Sequence, residues 1–189
     1  MPRRIDHEAR RRRLAEALWR IVTASGLEAV SLRHVAAEAG VSMGMVQHYF
    51  SDKEEMVLFA LRGMTERVGR RMAVALDALP DEPLARVRAV LVETLPLDDE
   101  RRLEAQVSAT FLTRAPVDPR IAEYLRAEYA EGHAYLADQL RAAGVADPER
   151  AASLLVAVAD GLTAHTLAGH HGPGEALAML DAHLAQLTR

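Results

Sequence analysis

Histidine and serine side chains are the groups in this 189-residue chain whose chemistry could support metal binding or catalysis. Four of the eight histidines fall at positions 165, 170, 171 and 183, but no two histidines are four residues apart and the chain has no cysteine. Zinc sites depend on such spacings or on thiolates, so we expect no metal site. Ser25, Ser31 and Ser42 stand at the ends of apolar segments, where helix capping explains them. No serine has an evident base beside it, so we expect neither an enzyme nor a bound cofactor.

Positive and negative charges are distributed unevenly along the chain. Residues 1–71 contain 13 Lys and Arg against 9 Asp and Glu, whereas residues 72–189 contain 10 against 18. This asymmetry indicates a basic surface in the first part and an acidic body behind it. No apolar run approaches the roughly 18 residues of a membrane span, and the charged N-terminus lacks the apolar segment of a secretory signal. We therefore expect a cytoplasmic protein with no membrane partner.

Apolar residues recur at helical spacing almost everywhere, and no stretch shows the sustained alternation of a strand. Proline, glycine and acidic residues divide the chain into about nine expected helices, so the predicted fold class is all-α. Ser51 and Glu54 match a capping box, and Pro119 and Pro148 each follow an aspartate, as at a helix start. The expected helices cover about residues 7–25, 31–38, 42–49, 51–79, 83–94, 98–114, 119–143, 148–168 and 173 to near the C-terminus.

Residues 31–50, SLRHVAAEAGVSMGMVQHYF, predict two short helices separated by a tight turn at Gly40. Two such helices form a helix-turn-helix motif, in which small and β-branched residues fill the angle between them. Gly44 lies inside the second helix, where glycine costs about 1 kcal/mol relative to alanine. Two explanations stay open for Gly44: close packing inside the protein, or close approach to a binding partner such as DNA.

The segment GLEAVSLRHVAAEAGVSMGMVQHYFSDKEEMV, residues 26–57, resembles the DNA-binding domain of TetR-type transcriptional regulators. The shared features are a glycine after the first helix, S-L-R-x-V-A-x-x-A-G-V-S-x-G, an aromatic pair at 49–50, and Lys53-Glu54 opening a long helix. The H-Y-F ending is similar to the BetI-type branch, and Asp-Gly-Leu at 160–162 to the family's dimerisation region. The resemblance implies a DNA-binding domain over residues 1–53 and a ligand-binding and dimerisation domain over residues 54–189.

The resemblance places the second motif helix in the major groove of DNA. Gln47 would then pair with adenine and Met43 would contact a thymine methyl group, whereas many relatives carry Tyr and Lys at these positions. The residues expected at the DNA are Arg3, Arg4, Ser31, Arg33, Ser42, Met43, Gly44, Met45, Gln47, His48, Tyr49 and Lys53.

The formal charge between Ser31 and Lys53 is zero, so attraction to the phosphates must come largely from elsewhere. The arginines at 3–4 and 10–13 form the obvious source, as an arm that enters a minor groove or covers phosphates. The alternative is a solvated tail whose arginines surround the first helical turn.

The middle helices carry methionine, aromatic and polar side chains that a regulator of this type would use to bind a small-molecule effector. Such residues at helical spacing are also typical of plain core, and that alternative stays open. The residues expected at the effector are Met64, Val68, Met72, Gln106, Val107, Thr110, Phe111, Tyr124 and His133.

The last two helices have apolar stripes beside small residues, a pattern that favours close packing of a second copy. The alternative is that the stripes face only the protein's own core. On the eighth helix the stripe includes Leu154, and the small residues beside it are Ala151, Ala157, Gly161 and Ala168. The residues expected at the homodimer interface are Leu155, Val158, Leu162, His165, Leu177, Leu180, Leu184 and Leu187.

These patterns together predict a ligand-responsive repressor that binds a pseudo-palindromic operator in double-stranded DNA as a homodimer. Two other classes of protein stay open at this point. One is a helical small-molecule-binding protein or enzyme with a vestigial helix-turn-helix. The other is an architectural protein that coats DNA and binds many sequences nearly equally.

Overall fold

The computed structural model describes residues 2–187, with side chains described from residue 9 onward. Within this range the chain forms nine α-helices, two short 3-10 turns and no strand, which confirms the all-α fold class. The helices are α1 (Pro2–Ser25), α2 (Leu32–Ala39), α3 (Met43–Tyr49), α4 (Lys53–Asp77), α5 (Pro83–Thr94), α6 (Asp99–Arg114), α7 (Pro119–Ala142), α8 (Pro148–Leu167) and α9 (Pro173–Leu184).

Local capping explains why most helices begin and end where the sequence predicts. Gly40 ends α2 in the left-handed region, with φ at 67°, a conformation that a Cβ atom disfavours. The Asp118 carboxylate accepts from the Ile121 backbone N–H at 3.4 Å, and the Asp147 carboxylate accepts from Arg150 N–H at the same distance. Both aspartates thus satisfy donors of the first helical turn.

Two expected helix starts are wrong by a few residues. Helix α1 begins at Pro2 rather than near His7, so the backbone of Arg3 and Arg4 is helical and not an extended arm, while their side chains lie outside the described residues. Helix α4 is capped by Asp52, which accepts from Glu55 N–H at 2.7 Å, and not by Ser51. Aspartate caps a helix as well as serine does, so the cap moves one residue along the chain.

The chain divides into two compact units. The first comprises Met1–Arg67 and Gln106–Ile121, that is, α1 to α3, the first half of α4, and the end of α6 with the start of α7. Its buried core includes Leu18, Val35, Val46, Phe50 and Phe111. The indole N–H of Trp19 donates to the Ala60 carbonyl oxygen at 3.0 Å and thereby joins α1 to α4.

The second unit comprises Val68–Ala105 and Ala122–Arg189. Its core is formed by apolar faces of α5, α7, α8 and α9, and Leu95, Leu140, Leu155 and Leu180 are fully buried there. Between residues 2 and 187 no helix combines the length and apolar composition needed to cross a bilayer. These units describe packing, whereas the functional division at residues 53 and 54 stays a prediction.

Candidate nucleic-acid interface

Helices α2 and α3 form a helix-turn-helix whose inner face is closed. Val35 and Val46 have no exposed surface, and Ala36 and Ala39 are buried beside them. The Ser42 hydroxyl caps α3 by accepting from Met45 N–H at 3.2 Å, and the Ser31 hydroxyl caps α2 by accepting from His34 N–H at 3.1 Å. The caps and the apolar contacts fix α3 on α2 as a short, rigid element.

The opposite face of α3 points to solvent. Ser42, Met43, Gly44, Gln47 and His48 are exposed, and Met43 keeps 38% of its surface. Met43 and Gln47 lie one helical turn apart and so are neighbours on this face. The other two residues of α3 predicted at the DNA, Met45 and Tyr49, are half-buried, and the Tyr49 ring stands edge-on to His48 at 5.2 Å between centroids.

The structure tests one of the two explanations for Gly44, close packing inside the protein. A Cβ atom built on Gly44 would meet no atom within 4 Å, and its φ is not in the left-handed region. Neither close packing inside the chain nor backbone strain therefore requires glycine here. Close approach to an external partner, the other explanation, stays a prediction.

The cations predicted at the DNA differ in how freely they can reach a phosphate. Arg33 is exposed on α2. Lys53 is half-buried, and its Nζ donates to the Leu27 carbonyl oxygen at 3.3 Å. Arg11 lies over the rings of Phe50 and Phe59, at 5.0 and 4.1 Å from the ring centroids, so it serves the packing of α1 on α4. Of these cations, Arg33 is thus the most available to DNA.

The end of α6 packs with the helix-turn-helix unit, a feature that the sequence patterns did not reveal. The Arg114 guanidinium donates to the Glu28 carboxylate at 2.8 Å, beside the buried Ile121. A small cleft lies at this corner, lined by Leu27, Glu28, Lys53, Glu54, Val57, Arg114, Asp118 and Ile121. One signal in the sequence was the large apolar side chain of Phe111, which needs a surface to pack against and is buried in the first unit.

The residues predicted at the effector are divided between the two units. Met64, Val107 and Phe111 are buried in the first unit, where the alternative of plain core describes their packing, and Gln106 and Thr110 are half-buried there. Val68, Met72 and Tyr124 are half-buried in the second unit. The imidazole Nε2 of His133 lies 2.9 Å from the Ser153 hydroxyl and 3.0 Å from the Glu149 carbonyl oxygen, so it joins α7 to α8.

The leucine stripes predicted at the homodimer interface require a correction. Leu155 and Leu180 have no exposed surface and Leu162 and Leu184 keep less than a tenth of theirs, so all four pack mainly in the core of their own unit. Val158, Leu177 and Leu187 are half-buried, and His165 is exposed. The stripes face inward because α8 and α9 themselves supply the core that α5 and α7 pack against.

A different face of α8 and α9 is exposed. Leu154 keeps 54% of its surface and Met179 keeps 44%, beside small residues such as Ala157 and Ala164. Met179 was not among the predicted interface residues, although it lies between two inward-facing leucines.

At the end of α8 the Nδ1 atoms of His165 and His170 are 2.7 Å apart, and no described group of three or more His, Cys, Asp or Glu could hold a metal ion.

Comparison with known proteins identifies the two parts of the chain. Residues 14–64 match the family described as bacterial regulatory proteins of the tetR family, and residues 83–189 match the C-terminal region of BetI-type transcriptional repressors. The regulator PksA of Bacillus subtilis is 35% identical over 173 residues, which is 88% of this chain and 83% of that protein.

Solved structures share the fold over nearly the whole chain. A transcriptional regulator from Rhodococcus sp. Rha1 is 35% identical with a TM-score of 0.86, covering 94% of this chain and 95% of that one. A regulator from Saccharomonospora viridis, crystallised in complex with choline, has the same TM-score at 24% identity and covers 95% and 97% of the two chains. The chain therefore belongs to the TetR family of bacterial transcriptional regulators, with a C-terminal region of the BetI type.

Proposed function

We propose that this regulator is a ligand-responsive repressor that binds a pseudo-palindromic DNA operator as a homodimer. The observation that carries the proposal is the two-sided character of α3. Its inner residue Val46 is fully buried, whereas Met43, Gly44 and Gln47 are exposed together on the opposite side. A recognition helix must combine a firm inner face with a free outer face that can enter the major groove.

Contacts to the DNA backbone complete the proposed interface. Exposed Arg33 lies on α2, the motif helix that crosses the phosphates in helix-turn-helix complexes. The first turns of α1 carry Arg3 and Arg4, which we expect to act as further cations. Lys53 and the backbone amides at the start of α4 are expected to contribute more weakly. Because phosphate contacts release counterions, binding should weaken steeply with salt.

A homodimer follows from the small footprint of a single helix-turn-helix. One such motif contacts too few bases for tight specific binding, and twofold symmetry doubles the contact. Exposed Leu154, Ala157 and Met179, with half-buried Gly161, support this proposal, because small side chains allow helices to approach closely and Leu and Met supply apolar area.

The effector is proposed to act by shifting a two-state equilibrium. A small molecule that prefers one arrangement of the helices favours it by its differential affinity. In the other arrangement the two recognition helices would fit successive major grooves about 34 Å apart. Helix α4 runs unbroken from Lys53 to Asp77, directly after the helix-turn-helix, and is the proposed mechanical link. We further propose that the protein works in the cytoplasm and catalyses no reaction.

Selection from a pool of randomised DNA duplexes tests the proposal, with affinities measured by fluorescence anisotropy at several salt concentrations. A ligand-responsive regulator should select one pseudo-palindrome, with a specificity ratio of about 10³ or more over random DNA. Nearly equal binding to all sequences would instead identify a DNA-coating protein. No sequence preference together with no salt dependence would identify a vestigial motif.

Two additions to this experiment test the arm and the effector. Deleting residues 2–4 should weaken binding to all sequences and flatten the salt dependence, because cations contacting phosphates carry no sequence information. For the effector, a panel of small molecules is added to the preformed DNA complex and release of DNA is measured. At 24% identity the choline-bound protein shares only the fold with this chain, so choline is simply the first compound to test.

A further inference from the structure

The solvent-facing side of α3 has an unusual chemical character for a surface that contacts DNA. Helix α3, Met43–Tyr49, contains no lysine and no arginine. Its exposed side chains are an uncharged thioether at Met43, an amide at Gln47, and the imidazole of His48, which packs edge-on against Tyr49. The helix therefore offers hydrogen bonds and apolar contact to the bases, but no fixed positive charge.

This set of groups distinguishes between the four base pairs. Guanine is read most often by the paired donors of arginine or lysine at O6 and N7, and α3 has neither residue. Adenine presents a donor, N6–H, and an acceptor, N7. The carbonyl oxygen of a glutamine side chain can accept from N6–H while its amide N–H donates to N7. Thymine presents a C5-methyl group that attracts an apolar side chain. Gln47 and Met43 are thus complementary to A·T pairs.

The geometry of the helix allows both contacts at once. Met43 and Gln47 are one turn apart on the same face, and Gly44 lies between them with open space where a side chain would stand. The bare backbone at Gly44 lets the helix approach the groove floor, so the short reach of Gln47 suffices. The flexible thioether of Met43 can adapt to the methyl group beside it.

We infer that α3 selects two neighbouring A·T pairs in each half-site, with Gln47 on the adenine edge and Met43 on a thymine methyl group. The inference rests on the proposed function and adds the chemistry of the operator. Arg33 on α2 and the first turn of α1 contact the sugar–phosphate backbone and do not contribute to this selection.

Atomic substitutions in the DNA test the inference with the protein unchanged. The selected operator is synthesised with deoxyuridine replacing each thymidine in turn, which removes only the methyl group, and with 7-deazaadenine replacing each adenine, which removes only the N7 acceptor. At one thymine per half-site, deoxyuridine should weaken binding about fourfold, because one methyl group is no longer buried against the protein. At one adenine per half-site, the 7-deaza base should weaken binding about fivefold or more.

The matching protein variants complete each cycle. Met43→Ala should bind the thymine and uracil duplexes equally, and Gln47→Ala should bind adenine and 7-deazaadenine equally, while each keeps its sensitivity to the other substitution. Thermal unfolding verifies that both variants fold. We expect that they do, because substitutions at exposed positions rarely destabilise a protein. A selected half-site rich in G·C pairs, or modified bases without effect at every position, would overturn the inference while leaving the regulator assignment intact. A protein that selects no sequence at all would overturn the inference and the proposed function together.

Discussion

Gly44 is a glycine for which the packing of the described residues gives no reason. It lies in a helix of seven residues, is exposed, and has room for a side chain. Glycine loses more backbone entropy than alanine when a helix forms, so the folded protein gains nothing from it. A residue that weakens its own helix without an internal reason is expected at a surface that a partner contacts closely.

The substitution Gly44→Ala should therefore stabilise the protein and weaken its function. We expect the free energy of unfolding to rise by up to about 1 kcal/mol, measured by urea unfolding. Affinity for the selected operator should fall at least tenfold, because the new methyl group separates the helix from the groove. Gly132→Ala is the matched control, since Gly132 lies exposed within α7 with equal space around it. The control should be stabilised with unchanged DNA affinity; a Gly44→Ala variant that binds normally would contradict the interpretation.

Arg33 allows a separate prediction, because we propose that this exposed cation on α2 contacts phosphate and not base. Arg33→Gln should weaken binding by a similar factor on every sequence. The slope of log affinity against log salt should become shallower by about 0.9 for each phosphate that is no longer neutralised, hence by about 1.8 for a dimer. Arg126→Gln, at an exposed position of α7, serves as control. An unchanged salt slope for Arg33→Gln would show that Arg33 does not touch the DNA.

Among whole elements, α4 is anchored differently along its length. Its buried side chains end at Met64, and beyond them Arg71 joins α4 to α5 and α6 through ion pairs. The Arg71 guanidinium donates to Glu93 at 2.9 Å and to Glu104 at 2.6 Å, and Arg101 donates to Glu93 at 2.6 Å. Burial acts to raise the pKa of Glu93, but hydrogen bonds from Arg101 and Arg71 outweigh it and lower that pKa below its ordinary value.

The lowered pKa of Glu93 gives a pH dependence of defined sign. When folding lowers the pKa of a carboxylate, the carboxylate stabilises the protein at every pH above its ordinary, unfolded-state pKa. This contribution is lost as the pH falls through the lowered pKa of the folded state. Glu93→Gln should therefore lower the free energy of unfolding at pH 7 by about 1.5–3 kcal/mol, the worth of hydrogen bonds to charged groups. The difference from the unsubstituted protein should shrink on acidification below the ordinary glutamate pKa of about 4.3.

Urea unfolding at pH 7 and at acid pH measures both effects. Glu128→Gln, on the exposed side of α7, controls for the general loss of one negative charge. A Glu93→Gln variant as stable as the control at pH 7 would show that the ion pairs of Glu93 with Arg71 and Arg101 do not stabilise the packing of α4. The hydrogen bonds of Glu93 would then have no net effect on stability.

At the scale of the whole molecule, the proposed homodimer needs a surface that is not already used within one chain. The residues that α8 and α9 bury against α5 and α7 are used within one chain. What remains outside is a face of small residues with Leu154 and Met179, and exposed apolar area of this kind is typical of an interface. Dimerisation, and with it tight operator binding, is expected to depend on this face.

Leu154→Glu should leave the fold intact and separate the dimer, because Leu154 is more than half exposed within one chain. We expect the molecular mass in sedimentation equilibrium to fall to that of a monomer and operator affinity to fall at least a hundredfold. Leu112→Glu, at an equally exposed leucine of α6, is the control and should remain dimeric. A dimeric Leu154→Glu protein would exclude this face.

By contrast, Leu180→Ala should lower the free energy of unfolding by about 2–5 kcal/mol, because it leaves a cavity in the core.

The sequence alone determined the helices, most of their caps and the helix-turn-helix, because caps, turns and helical periodicity depend on residues a few positions apart. Gly40 and Asp147 could be assigned without any knowledge of the tertiary structure. Only the tertiary structure decided that Leu180 faces inward and Met179 outward, that Phe111 is buried in the same compact unit as the helix-turn-helix, and that a side chain at Gly44 would have open space around it. The physical reason is that a helix with apolar residues on several sides does not specify which side is buried; that depends on neighbours distant in the sequence.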